Sequence, residues 1–102
     1  MRLKYKDQTI PVTTTTNPSI MRYKFQKLYY GIIINNCNRY SSILSKQRID
    51  VAMTDDNLNI LSIKKGMHEN TVYENQNATK TILLPLSEFT NLEINTNFTL
   101  QD

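Results

Sequence analysis

Residues 48–65, RIDVAMTDDNLNILSIKK, constrain this chain more than any other stretch. Ile49, Val51 and Met53 alternate with Asp50, Ala52 and Thr54, the period-two pattern of a strand with one apolar face. Asp55, Asp56 and Asn57 then supply turn chemistry, because short polar side chains bond to nearby backbone. The run that follows returns with Leu58, Ile60 and Ile63. The stretch predicts a β-hairpin, with Asp50 on its outward face. A lone hairpin is marginal in water, so its apolar side must pack on more sheet.

The rest of the chain offers that sheet. Leu3 and Tyr5 alternate with Arg2, Lys4 and Lys6, KDQ turns, and Ile10 and Val12 continue into four threonines suited to a half-exposed strand. Pro11 lacks an N–H, so this second strand is expected at an edge, or broken there. GIIIN is a continuous apolar run of strand length, which predicts cover on both faces. Further strands are expected at residues 71–73, in TKTILLPL up to Pro85, and in the closing EINTNFTL. Residues 36–47 form a connection with no assigned element.

Two helical features are also predicted. Asn17 is an N-cap candidate, Pro18 suits the first helical position, and Met21, Phe25 and Leu28 follow at i, i+4 and i+7. This gives one amphipathic helix near residues 18–29. Ser87 can cap a short helical turn near residues 87–92, containing Phe89 and Leu92. The expected class is therefore α+β, mainly antiparallel, in a single domain over residues 1–102.

Composition narrows the functional classes. The net charge of +3 is mild, well short of a nucleic-acid signature, and the Ile, Asn, Lys and Tyr content fits an AT-rich genome. One cysteine cannot form an internal disulfide, so apolar packing alone must hold the core. The first residues have no apolar signal-peptide region, and no run approaches the ~18 apolar residues of a membrane span. A cytoplasmic setting is expected. With only two glycines, Gly31 and Gly66, no glycine-rich phosphate loop can form.

Candidate chemistry is sparse. Cys37 would need a base and a thiolate-stabilising group to act as a nucleophile, and the only histidine, His68, lies in a distant polar loop. Cys37 therefore reads first as a small buried apolar residue. An enzyme with a site near Cys37 and Ser42 is the weakest of three functional readings. The segment from Asp55 to Asn59 resembles the start of a calcium loop, but Ile60 and Gly66 stand where that loop needs glycine and a bidentate glutamate. No metal and no cofactor is expected. The basic segments RLKYK and RYKFQKLYY interleave cations with aromatics, as single-stranded nucleic-acid platforms do. Arg2, Lys4, Lys6, Arg22, Lys24 and Lys27 are the candidate contacts. Tyr5 and Phe25 fall on the apolar phase, which favours ordinary solvated lysines over a platform.

From residue 31 onward, YGIIINNCN, RIDVAMTDDNLNILSIKKGM and TILLPLSEF resemble a bacterial family known as domain of unknown function one-nine-two. The resemblance implies a partly closed, barrel-like sheet with a covering helix, and no settled activity, cofactor or substrate. The chain departs from that pattern where MRYKFQK replaces a glycine–leucine–methionine element, and where SSILS replaces a threonine–aromatic–methionine segment. The leading expectation is a small non-enzymatic domain that binds another protein, for example a mobile-element-encoded inhibitor. A weakly basic nucleic-acid-binding module is the second.

Overall fold

Leu3 and Ile10 face each other across a ladder, and from this pair the sheet grows in both directions. The structure, a computed structural model, describes residues 1–16, 27–42, 47–68 and 70–101. Within these residues the strands are β1 (Arg2–Tyr5), β2 (Gln8–Thr15), β3 (Gly31–Asn35), β4 (Arg39–Ser41), β5 (Ile49–Thr54), β6 (Ile60–Met67), β7 (Val72–Glu74), β8 (Lys80–Pro85) and β9 (Thr99–Gln101). Seven of them form one sheet in the order β6-β5-β8-β3-β2-β1-β9, and β4 pairs with β7 in a separate ribbon. Every pairing is antiparallel except β2 with β3, which is parallel.

The sheet curls into a half-barrel, and the segment just before β9 draws its two sides together. The Ile60 N–H donates to the Thr96 carbonyl at 2.7 Å, and the Phe98 N–H donates to the Leu58 carbonyl at 3.0 Å. Directly afterwards, Thr99, Leu100 and Gln101 pair with Lys4, Leu3 and Arg2. The strap and β9 together thus link the start of β6 to Arg2, Leu3 and Lys4 of β1. Beneath it lie Tyr5, Phe89 and Phe98, with ring centroids 5.5 to 6.1 Å apart in tilted pairs, the arrangement that aromatic quadrupoles favour. The Tyr5 hydroxyl is not stranded there, because it accepts from the Glu93 N–H at 3.1 Å.

The central strands are covered on both faces. Ile33, Ala52, Ile82 and Leu84 join the core inside the curl, while Ile32, Ile34, Val51, Met53 and Leu83 join a second core on the opposite face. Tyr40 of β4 and Tyr73 of β7 help to close the second core. The expected double cover of GIIIN is present. Gly31 opens that strand where a Cβ would meet the Ile10 and Val12 side chains at 3.2 Å.

The α+β class is overturned, because the described residues contain strands and no helix. Of the helix expected near 18–29, residues 17–26 lie outside the described residues, and residues 27–29 have no regular structure. The helical turn expected near 87–92 is a run of turns and bends. Ser87 and Asn91 both sit at φ 59°, a left-handed conformation that interrupts a right-handed helix. Phe89 and Leu92 are buried, as an apolar pair should be, but by a non-helical route.

Three local expectations also change. Asp50 is buried, not outward, because β5 is sealed along its entire length. β2 lies inside the sheet despite Pro11. The Val12 N–H points to β1, donating to the Met1 carbonyl, so the Pro11 nitrogen points the other way, toward β3. Pairing with β3 begins only at Val12, so no donor is needed at Pro11. Finally, the unassigned connection contains β4, three residues recruited by pairing with β7.

Candidate functional site

The structure describes four of the six predicted cations, Arg2, Lys4, Lys6 and Lys27, and does not gather them into one patch. Arg2 and Lys4 share the face of β1 opposite buried Leu3 and Tyr5. Lys6 leaves that face at the turn, where its backbone is left-handed at φ 53°. Its Nζ sits 5.3 Å from the Tyr5 ring centroid and 3.9 Å from the Glu93 carboxylate. The Lys27 Nζ sits 5.4 Å from the centroid of the exposed Tyr29 ring. Arg22 and Lys24 lie outside the described residues. Of the four described cations, Arg2 and Lys4 are brought side by side, and neither forms an ion pair among the described residues.

Cys37 is half-buried against the second core, with its sulfur 3.2 Å from the Arg39 carbonyl it faces. Its own N–H donates to the Thr79 carbonyl at 2.9 Å, and its carbonyl accepts from the Thr81 hydroxyl at 3.0 Å. The Ser42 hydroxyl is buried and donates to the His68 carbonyl at 2.5 Å while accepting from the Thr71 N–H at 3.0 Å. It is therefore the main chain of His68 that meets Ser42. These bonds tie the β4–β7 ribbon to its neighbours.

The Asp55 carboxylate accepts from the Asn59 side-chain amide at 2.9 Å and from the Asn57 and Asn59 N–H groups. The Asn59 bonds hold it below the usual carboxylate range. Among the described residues no cluster of three or more His, Cys, Asp or Glu could hold a metal ion. No helix among them is long and apolar enough to cross a membrane.

Sequence reasoning missed a cleft of about 440 Å³ at the start of β5, bordered by Arg48, Lys65, Leu86 and Thr90, with Asp50 and Phe89 among its lining residues. The Asp50 carboxylate accepts from the Gly66 N–H at 2.8 Å and from the Ser87 N–H at 3.0 Å. Each oxygen thus holds one strand-end backbone group, and the acid works as a clamp. The signal was present in IDVAM, where one acid interrupts an otherwise apolar run. Its meaning depended on a bulge that alternation does not reveal. In the β5–β6 ladder, Ile49 faces Met67 and Val51 faces Lys64, so Lys65 and Gly66 together oppose Asp50.

The two sheet edges differ in kind. β6 carries Lys64 and Lys65, two register irregularities and, at its start, the strap, all features that discourage further pairing. β9 is Thr99–Leu100–Gln101, without charge and with every residue exposed. Leu100 pairs with buried Leu3 and therefore lies on the apolar side, yet it is 45% exposed. The β4–β7 ribbon sits between these extremes, with an exposed Arg39–Glu74 pair at 3.9 Å across it. No family model, curated protein or solved structure matches this chain.

Proposed function

We propose that this chain is a small non-enzymatic domain that binds another protein by accepting a strand at the β9 edge. The observation that carries the reading is the contrast between the edges: β6 is guarded by lysines and bulges, and β9 is not. An exposed leucine on the core side of a sheet edge favours an apolar side chain set beside it. The hydrogen-bonded state of the Ser42 hydroxyl and the Cys37 sulfur supports a structural role for both. A cytoplasmic inhibitor of a host system, of the kind a mobile element encodes, and a divergent member of the domain of unknown function one-nine-two family, are compatible with this reading.

The test compares immobilised wild-type protein with Leu100→Lys, each exposed to extract of the native host. A protein retained by the wild type and lost from the variant, with circular dichroism unchanged, is the expected result. Equal retention by both removes β9 from the mechanism.

Arg2 and Lys4, side by side and without ion pairs among the described residues, favour nucleic acid as the second reading. Titration with single-stranded oligonucleotide across a salt series checks it. Affinity that falls steeply with salt would support it, and no binding at low salt would remove it.

A further inference from the structure

The β9 edge is asymmetric in charge across its two faces, and this specifies what kind of strand fits it. In the β1–β9 ladder, Arg2 faces Gln101, Leu3 faces Leu100 and Lys4 faces Thr99. Residues directly opposite each other share a face. The outer face therefore presents Arg2 and Lys4 behind a neutral Gln101 and Thr99, and the inner face presents Leu100 beside buried Leu3. A strand added to β9 would stand about 10 Å from β1, two strand spacings away. An extended arginine or lysine reaching from β1 and a glutamate reaching back can span that gap.

We propose, building on strand addition at β9, that its partner is an extended acidic–apolar–acidic segment. Its central apolar side chain covers Leu100, and its two flanking carboxylates meet Arg2 and Lys4 over Gln101 and Thr99. Among the described residues both cations are available for this, since Lys6 is the member of that group that answers Glu93, and Arg2 is engaged there by the Thr9 hydroxyl at 3.1 Å. The charge pattern also disfavours a second copy of β9 as occupant. Thr99–Gln101 brings no acid, so a symmetric pair would set no carboxylate from that strand opposite Arg2 and Lys4. A phosphate backbone would meet the two cations but leave Leu100 uncovered.

The experiment follows backbone amide shifts of the full chain by NMR during titration with short capped peptides. One has a Glu–Ile–Glu centre, one has Lys–Ile–Lys, and one is Glu–Ile–Glu with the isoleucine nitrogen methylated. A single-stranded oligonucleotide is a fourth ligand. The Glu–Ile–Glu peptide should shift the amides of Thr99, Leu100 and Gln101, and methylation should weaken it. Arg2→Glu with Lys4→Glu should weaken it about tenfold at low salt and reverse the preference toward Lys–Ile–Lys. Equal binding of the acidic and basic peptides at β9 overturns the charge assignment while leaving strand addition intact. Failure of every peptide to move the β9 amides overturns both. Oligonucleotide shifts centred on Arg2 and Lys4, with no peptide effect there, assign that face to nucleic acid instead.

Discussion

Asp50 and Gly66 are joined by a 2.8 Å hydrogen bond from the glycine N–H to the buried carboxylate, across the bulge where β6 bends. Gly66 adopts φ +59°, which an L side chain resists, and an added Cβ would meet the Arg48 guanidinium at 3.1 Å. The second carboxylate oxygen holds Ser87, so one side chain fixes the ends of both β6 and β8. Asp50→Asn keeps the shape but turns an NH₂ group toward one of these donors. Leaving a buried donor unmatched costs about 2 kcal/mol, so urea unfolding should show a loss of that order. A change below a few tenths of that size would mean the clamp does not matter for stability.

Phe98 anchors the strap that joins the two sides of the curl. It is buried, touches Tyr5 and Phe89, and its N–H donates to the Leu58 carbonyl. Phe98→Ala should cost about 3–5 kcal/mol, since a large aromatic leaves a cavity the strap cannot easily fill. Hydrogen exchange gives a sharper readout. The Ile60 amide, which donates to Thr96, should lose protection before the Ile33 amide in the centre of the sheet.

Tyr40 links stability to high pH. Burial pushes its phenol up from 10.0 to about 12, because the anion would lose its water on the covered face of the sheet. The folded state therefore keeps this proton after the unfolded chain has begun to release it. Stability from Tyr40 is complete below pH 10 and is lost as pH rises through about 12. Thermal melts across that window should show falling midpoints, and Tyr40→Phe should flatten the fall. An unaltered slope in the variant would assign the alkaline loss to other groups.

Cys37 should tolerate replacement. Its sulfur is half-buried and faces a carbonyl, an arrangement that a serine hydroxyl can reproduce. Cys37→Ser is expected to cost about 1 kcal/mol or less and to leave partner capture unchanged. Loss of capture with intact folding would revive the thiol as a functional group.

The strands that carry their own local pattern were legible. The hairpin of β5 and β6, the apolar run of β3 and the stop of β8 near Pro85 all occupy the stretches that alternation or apolar continuity marked out. The candidate site was legible only in part. Arg2 and Lys4 fall on one face as period two requires, but which strand would stand beside β1 was not written in RLKYK. The amphipathic pattern at 18–29 falls largely on residues outside those described, and at residues 27–29 no helix forms. Near residue 90 the apolar spacing of Phe89 and Leu92 was real, but left-handed residues at both ends of the stretch defeated the helical reading.

By itself the sequence determined which segments extend and which side of each is apolar, because side chains alternate along a strand whatever its neighbours are. Only the tertiary structure decided that β2 and β3 run parallel, that Asp50 turns inward and that β9 is left at the sheet's end. Those outcomes rest on contacts between residues far apart in the chain. Alternation marks the faces of a strand but does not name the strand beside it.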